Sequence, residues 1–324
     1  MRKDYPKVSV MIITYNQEHF IRETLDSVVS QNYPNLEIVV ADDCSKDATP
    51  EIIIEYQKRY PNMIVPVLNP KNLGITGNCN AAFFACSGEF IAVMGGDDLF
   101  LPGKIMKQVE QFEQDPEVVI SYHPVEIFNS ADRKVLYVTN QLPREDLGDA
   151  YEIIAKGGIP GASSVMVRRG ACPAKGFDER LPVVSDWLFY IEVALQGKVV
   201  KLDGVYGKYR KHGSGASERT YELLSESLQT LELLQVEHPD DVKIMAACKQ
   251  GKARYLAGEV YRQLQKGNGR LAYSLAKQTL SSQFKLRYLG ILMVALLVRT
   301  VPYLSPLVAR LLHVSKSLLK RKLA

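Results

Sequence analysis

The sequence predicts an α/β protein with a doubly wound, largely parallel sheet, followed by a helical C-terminal part. Two observations support this. Over about the first ninety residues, short runs rich in β-branched residues alternate with segments of helical periodicity. From about Thr220 the pattern is helical to the end of the chain. A chain of 324 residues is long enough for one large domain and an appendage, or for two domains.

Four buried parallel strands are expected early in the chain: Val8–Thr14, Leu36–Ala41, Met63–Leu68 and Phe90–Met94. The helix after the second strand should have Thr49 as its N-cap and Pro50 in its first turn. A further helix is expected after Gly77. Later, Ser163–Arg169 is predicted to be a strand, and Ser185–Val200 a helix that stops at Gly197 and is followed by another strand.

The composition is that of an ordinary globular protein in a reducing compartment. The five cysteines form no CxxC pair and are odd in number, which argues against a disulfide framework. The first residues, MRKDYPKVSV, contain no apolar stretch typical of a signal peptide. We therefore expect a cytoplasmic protein.

Charge is distributed unevenly along the chain. After Glu259 there is no Asp or Glu, while residues 260–324 contain twelve Lys and Arg. Because the net charge is +4, residues 1–259 carry a net charge of −8. Such basic tails usually meet phosphate groups of nucleic acid or anionic lipid. Aromatic residues do not alternate with the basic ones here, so a nucleic acid is not the expected partner.

Polar clusters follow three of the predicted strands. Thr14-Tyr15-Asn16 follows the first, Asp42-Asp43 the second and Asp97-Asp98 the fourth. Ligands of parallel sheets bind beyond the carboxyl ends of the strands, so the three clusters should meet at one edge. Asn and Asp are also common turn residues, so each cluster alone fits an ordinary turn. Three clusters at one edge favour a shared site.

Adjacent carboxylates such as Asp97 and Asp98 repel each other unless a cation lies beside them. Mg²⁺ or Mn²⁺ suits this role, because these ions accept one or two carboxylates and complete their coordination with water and phosphate oxygens. The chain has no GxGxxG after its first strand and no GxxxxGK[ST] motif. The pattern therefore indicates a metal that holds a diphosphate, and no glycine-rich phosphate loop.

The stretch VSVMIITYNQEHFIRETLDSVVSQNYPNLEIVVADDCSKDAT resembles the opening of the family 2 glycosyltransferases. These are inverting enzymes of the GT-A fold, a Rossmann-like mixed sheet, and they use nucleotide-diphosphate sugars; the likeness is to bacterial polysaccharide and O-antigen types. It covers roughly residues 6–215. We therefore expect a GT-A domain over residues 1–218 and a helical, basic region over residues 219–324.

The resemblance also implies roles for individual residues. The expected nucleotide- and donor-binding set, with Asp43 on the base, is Thr14, Tyr15, Glu18, Asp43, Asn72, Gly74, Asn78, Asp97, Arg210 and His212. Asp97 and Asp98 match the metal motif, and Asp186 matches the general base. The chain departs from the family at Gly95, where an acid is common, and at Ser185, where the base is usually one of an acid pair.

The expected function is transfer of a sugar from a nucleotide-diphosphate donor, with UDP favoured, to a hydroxyl of a glycan or lipid-linked acceptor in cell-surface polysaccharide synthesis. Two alternatives stay open. A sugar nucleotidyltransferase would have a glycine-rich loop after the first strand, where this chain has TYNQEHF. A non-catalytic glycosyltransferase-like scaffold at the membrane would follow if Gly95 marks a degraded metal site.

The tail contains two apolar stripes at helical spacing. The first is Leu289, Leu292, Met293, Leu296 and Leu297, and the second is Leu304, Leu307, Val308, Leu311 and Leu312. The uncharged segments are eleven and ten residues long, shorter than the roughly 20 residues that a spanning helix needs. Basic amphipathic helices of this kind lie in anionic membrane surfaces. We expect peripheral attachment at the inner face of the cell membrane; packing on the catalytic domain or on a dimer partner is the alternative.

Overall fold

A computed structural model describes residues 4–142, 145–159, 161–213 and 220–301, together with the single residues 306, 308 and 310. The chain divides into two compact units: Met1–Ala150 with Gly158–Arg219, and Tyr151–Gly157 with Thr220–Ala324. The strands are β1 Val8–Thr14, β2 Leu36–Asp42, β3 Ile64–Leu68, β4 Phe90–Gly95, β5 Leu99–Phe100, β6 Val118–Tyr122, β7 Val125–Asn129, β8 Val135–Val138, β9 Met166–Arg168, β10 Lys198–Lys201 and β11 Gly207–Lys211. The helices are α1 Ile21–Val29, α2 Thr49–Arg59, α3 Gly74–Ala85, α4 Lys104–Gln114, α5 Ala150–Lys156, α6 Ser185–Ala194, α7 Thr220–Glu237, α8 Val242–Gln265, α9 Gly269–Ser282 and α10 Leu286–Thr300.

The first unit is built on a seven-stranded sheet with the strand order β10-β6-β9-β4-β1-β2-β3. The strand β1 lies at its centre and pairs in parallel with β2 and β4. The short strand β9 runs antiparallel to both β4 and β6, so the sheet is mixed. The predicted α/β class with a mixed sheet is confirmed.

The central strands form where β-branched runs predicted them. The strand β1 has the predicted bounds, and β2, β3 and β4 differ from prediction by one residue at one end. All seven side chains of β2 are buried, and Ile21, Leu25 and Val28 of α1 join the core that covers one face of the sheet. A continuous apolar run is thus explained by a strand that is covered on both faces.

Three predicted boundaries are wrong. Thr49 is the first residue of α2, and Ala48 occupies the N-cap position. The Thr49 hydroxyl instead accepts a hydrogen bond from the backbone N–H of Gln17 (2.9 Å), so it ties the loop after β1 to α2. The helix α3 starts at Gly74, four residues before the predicted start after Gly77. The predicted strand Ser163–Arg169 shrinks to β9, because Ala162–Ser164 forms a 3₁₀ turn.

A second, four-stranded sheet has the order β5-β11-β7-β8. The two-residue strand β5 directly follows Asp98 and pairs antiparallel with β11. The strand β11 pairs in parallel with β7 on its other side. This arrangement brings residues 207–212 next to the chain that follows β4.

The second unit is helical. Residues of α8, α9 and α10 share one core cluster, which includes Leu264, Ala276, Tyr288, Ile291 and Val298. Asp241 caps α8, since its carboxylate accepts hydrogen bonds from the backbone N–H groups of Lys243 and Ile244. Within the described part of the chain, no helix is both long and apolar enough to cross a bilayer. Of the predicted second apolar stripe, Leu304, Leu307, Leu311 and Leu312 lie outside the described residues.

Candidate active site

The sheet register brings the three polar clusters to one edge. Ile13 lies opposite Ala41 on one side and Gly95 on the other, so the residues after β1, β2 and β4 leave the sheet at the same level. Two backbone hydrogen bonds continue the pairing past the strands: Asp43 N–H donates to Thr14 O (3.0 Å), and Gly96 N–H donates to Ile13 O (2.9 Å). The edge is therefore a continuous surface formed by three neighbouring strands.

Asp43 anchors the start of α3. Its carboxylate accepts hydrogen bonds from the backbone N–H groups of Leu73 (2.7 Å) and Gly74 (3.0 Å), and a longer one from Asn69 Nδ2 (3.4 Å). Leu73 is the N-cap residue of α3 and has no side-chain cap of its own. The carboxylate that directly follows β2 thus satisfies N–H groups that a helix start leaves unpaired, and it lies where the helix dipole favours negative charge.

The Asn-x-Gly segment and Asn78 support this anchor. Asn72 Nδ2 donates to the backbone oxygen of Asp43 (3.0 Å), and Asn72 Oδ1 accepts from Gly74 N–H (3.2 Å). Gly74 has a φ of 76°, a conformation that favours glycine. Asn78 is buried and donates to Ala41 O (3.0 Å), so its amide binds the edge of the sheet.

The loop after β1 is fixed by α2 and by Gly96. The carboxylate of Glu18 accepts from Ala48 N–H (2.9 Å) at the start of α2. Tyr15 is 47% exposed on the same loop. A Cβ on Gly96 would clash with Gln17 Oε1 and lie 2.8 Å from Thr14 Oγ1, so a larger residue there would have to displace these side chains. These two oxygens are buried without a hydrogen-bond partner among the described residues.

Asp97 pairs with His212. Asp97 Oδ2 lies 2.7 Å from His212 Nε2, and both side chains are partly accessible to solvent. The ring of Phe20 lies 4.9 Å from the imidazole, centroid to centroid, and helps to fix its orientation. Gly95 leaves the space in which Asp97 turns, because a Cβ at this position would lie 2.8 Å from Asp97 Oδ1.

Asp98 has a different environment from its neighbour. It is buried, with 2% exposed, and its Oδ1 accepts a hydrogen bond from the backbone N–H of Arg210 (3.0 Å). Its backbone oxygen accepts from the Thr24 hydroxyl (2.8 Å). Burial, and then the charge of Asp97, raise the pKa of Asp98 well above its ordinary value. Asp98 thus joins the chain after β4 to β11 and α1.

Arg210 packs against the segment after β4 that contains Asp97. Its guanidinium is almost fully buried and donates to the backbone oxygen of Asp97 (2.7 Å) and to the carboxylate of Glu23 (2.6 Å). The rings of Phe20 and Phe128 lie about 5 Å from it. Arg133 also pairs with Glu23, and its hydrogen bond is the largest influence lowering the pKa of that carboxyl. The described contacts of Arg210 therefore support the loop from below.

Asp186 lies in the first turn of α6, which is bound to the first turn of α3. The Thr76 hydroxyl contacts the Ser185 hydroxyl (2.8 Å) and donates to Leu181 O (2.6 Å). Burial raises the pKa of the Cys79 thiol, and the charges of Asp186 and then Asp43 raise it further. Both carboxylates therefore act on the same part of α3, which links the edge of the sheet to α6.

The sequence did not reveal the residues that support this site. Glu23, Phe20 and Thr76 are common helix or loop residues with no motif of their own, and Glu23 is 187 positions from Arg210. Ser185 was noted only as a departure from an acid pair, yet its hydroxyl joins the two helices. Within the described residues, no group of three or more His, Cys, Asp or Glu side chains could hold a metal ion. The Asp97–His212 pair places two potential metal ligands side by side.

Residues 9–171, half of the chain, match the model of the family described as glycosyl transferase family 2. The chain belongs to glycosyltransferase family 2. An uncharacterised protein of Mycobacterium tuberculosis is 34% identical to this glycosyltransferase over 218 residues, which are 66% of this chain and 61% of the relative. An uncharacterised glycosyltransferase of Nostoc is 31% identical over 216 residues, 64% of this chain and 66% of the relative. The chain thus spans about three fifths of the length of the mycobacterial protein.

Two solved structures have the same fold as this glycosyltransferase. TarS 1-349 of S. aureus in complex with UDP-GlcNAc aligns with a TM-score of 0.64 and 17% identity, over 94% of this chain and 88% of that chain. The mannosyltransferase PcManGT of Pyrobaculum calidifontis, in complex with GDP-Man and Mn²⁺, aligns with a TM-score of 0.58 and 18% identity, over 96% of this chain and 86% of that chain. At these identities the likeness establishes the fold alone.

Proposed function

We propose that this glycosyltransferase moves a sugar from a nucleotide-diphosphate donor, preferably a UDP-sugar, to a hydroxyl of a glycan or lipid-linked acceptor in cell-surface polysaccharide synthesis, with inversion. The observation that carries the proposal is the meeting of Asp43, the Asp97–His212 pair and the α3–α6 link at one sheet edge. The binding of UDP-GlcNAc by TarS and of GDP-Man by PcManGT supports a nucleotide-sugar donor.

The nucleotide is proposed to bind beyond β1 and β2. Asp43 keeps carboxylate lone pairs beyond those used by α3, and one of them would accept the base N–H. The half-exposed ring of Tyr15 would contact the base or ribose. Thr14, Glu18, Asn72, Gly74 and Asn78 are proposed to shape this pocket, and their described hydrogen bonds are to protein groups that fix its walls.

The side chains of Asp97 and His212 fit a divalent metal, because one carboxylate oxygen and one imidazole nitrogen are already 2.7 Å apart and partly accessible. Mg²⁺ or Mn²⁺ would be held there together with donor phosphate oxygens and water, and would neutralise charge on the departing diphosphate. The sequence predicts Asp98 as a second metal ligand, but its carboxylate is buried and accepts a hydrogen bond from Arg210 N–H. We therefore propose that Asp98 supports the loop and does not bind the metal. Arg210 supports the same loop.

Asp186 is proposed to be the general base. It would take the proton of the acceptor hydroxyl while that oxygen bonds to the anomeric carbon opposite the diphosphate. The bond from the anomeric carbon to the phosphate oxygen breaks in the same displacement, and the nucleoside diphosphate leaves. One displacement inverts the anomeric centre, so no covalent enzyme intermediate forms. The Thr76–Ser185 contact would hold Asp186 in register with the donor site.

The test is nucleoside diphosphate release by the full chain from a panel of UDP- and GDP-sugars with Mn²⁺. Asp186→Asn should lower kcat by about 10²–10⁴-fold while nucleotide affinity is kept. The matched control is Glu179→Gln, which removes an exposed carboxyl ahead of α6 and should leave kcat unchanged. Asp97→Asn should weaken Mn²⁺-dependent nucleotide binding. Failure to bind any nucleoside diphosphate with Mn²⁺, or full activity of Asp186→Asn, would refute the proposal.

A further inference from the structure

The helix α10 is apolar on two opposite faces. Its inner face packs into the core of the helical unit through Tyr288, Ile291, Ala295 and Val298. Its outer face carries large apolar side chains at positions i, i+3, i+7 and i+11, which share one side of a helix. This outer stripe consists of Leu286, Leu289, Met293 and Leu297, with exposed fractions of 79%, 37%, 59% and 45%. Leu292 and Leu296 of the predicted stripe are instead half-buried.

The outer stripe is continuous and ends on another exposed apolar residue. Phe284, just before α10, is 72% exposed. A row of large exposed apolar side chains is unusual in water and marks an interaction surface. The stripe spans twelve residues, and its first and last positions are about 17 Å apart at 1.5 Å per residue. This is shorter than the roughly 20 residues that a spanning helix needs, so a bilayer contact through the stripe would lie in the membrane plane.

The positive charge near the stripe indicates which kind of partner it binds. Lys285 and Arg287 flank its first turn, and exposed Arg270 and Lys277 lie on the neighbouring helix α9. The chain has no acidic residue after Glu259 that could neutralise them. A second copy of this chain would bring the same positive charge to the contact. Anionic lipid headgroups would instead attract these basic residues.

We propose that the outer stripe of α10 docks the helical unit onto an anionic bilayer surface. Leu286, Met293 and Leu297 then lie at the boundary between headgroups and acyl chains, and Lys285 and Arg287 contact lipid phosphates. The inference deepens the expected location at the inner membrane face and names the surface responsible. It rests on no step of sugar transfer, so the two proposals fail separately.

The test is co-sedimentation of the full chain with large unilamellar vesicles of phosphatidylcholine and phosphatidylglycerol at about 3:1. The triple variant Leu286→Gln/Met293→Gln/Leu297→Gln should partition at least tenfold less, because three side chains no longer leave water. The control Val236→Gln/Val242→Gln changes two exposed valines of the same unit and should bind as the wild type does. Vesicles of phosphatidylcholine alone should bind at least tenfold less protein.

Three results would overturn the inference. They are no wild-type binding to the anionic vesicles, equal binding by the triple variant, and a wild-type dimer that the triple variant converts to monomer. Circular dichroism melts of each variant show that the helical unit is folded. Nucleotide-sugar hydrolysis in solution is measured in parallel and should be the same in the triple variant and the wild type. Absence of that activity in the wild type would count against the transferase proposal and would leave the membrane result standing.

Discussion

Asp43→Asn is the substitution that most directly tests how the site is built. The change is isosteric and removes one negative charge from the end of β2. In the structure that charge accepts two backbone hydrogen bonds, from Leu73 and Gly74 at the start of α3. The asparagine oxygen can keep one of them. Its NH₂ group would face the other N–H, donor against donor, and leave it unpaired in a buried place.

The cost follows from these contacts. A hydrogen bond to a charged group contributes about 1.5–3 kcal/mol, and Asp43→Asn loses one such bond and weakens the other. We therefore expect a loss of about 1.5–3 kcal/mol in the free energy of unfolding. For a unit of this size that corresponds to a fall in Tm of about 4–10 °C. Thermal unfolding followed by circular dichroism measures it, with Asp203→Asn, an exposed carboxyl in a loop, as the isosteric control.

Activity measurements distinguish the two roles of Asp43, which are to anchor α3 and to contact the nucleotide base. Because α3 also contacts Ser185 through Thr76, loosening its first turn should lower kcat as well as nucleotide affinity. If Asp43→Asn melts within about 1 °C of the wild type, the Asp43 carboxylate does not stabilise the start of α3 as we infer. A loss of nucleotide affinity alone, with unchanged Tm and kcat, would show that Asp43 contacts the nucleotide base and does not anchor α3.

Three further predictions test the fold and the metal pair. Burial opposes ionisation of Glu37, but hydrogen bonds from Lys7 and its serine neighbours outweigh it and lower the pKa of Glu37 to about 2. The ionised side chain therefore stabilises the fold fully above about pH 4.5, and this contribution is lost as the pH falls. Glu37→Gln should cost about 1–2 kcal/mol at pH 7 in urea titrations, after allowance for screening, and less near pH 3. Burial lowers the pKa of Lys104 well below its ordinary value, so this residue adds a contribution to stability that rises with pH until the unfolded-state lysine deprotonates at about 10. Lys104→Met should remove that contribution from the pH dependence measured in urea titrations; an unchanged pH dependence would contradict this. Gly95→Ala should displace the Asp97 carboxylate and weaken Mn²⁺-dependent nucleotide binding several-fold by calorimetry, while Gly170→Ala, which has open space, should not.

The parts of the fold that could be predicted are those with strong local patterns. Buried parallel strands need continuous apolar, β-branched runs, and β1 to β4 have them. The antiparallel strand β9 has three residues and β5 has two, too few to show any period. The helix α6 was predicted because it is long and ends near a glycine. Short strands depend on partners that are distant in the chain, which local patterns do not identify.

For the site, the sequence predicted where side chains gather and missed what each one contacts. Parallel register alone brings Asp43 and Asp97 to one edge, so their meeting follows from the strand assignment. The bond from Arg210 to Glu23 depends on how β11 and α1 pack, and no spacing in the chain encodes it. The same limit applies to Thr76 and Ser185, which join helices 109 positions apart.

The two adjacent carboxylates after β4 have different environments and different proposed roles. Asp98 is turned into the protein and accepts a hydrogen bond from Arg210 N–H, in a buried place that disfavours its charge. Asp97 is turned toward His212, in space that exists because Gly95 has no side chain. An acid at position 95 would add a Cβ in that same space and push Asp97 away from the imidazole. On the proposed mechanism, Gly95 is therefore compatible with a working metal site, in which the imidazole of His212 takes the place of the missing carboxylate.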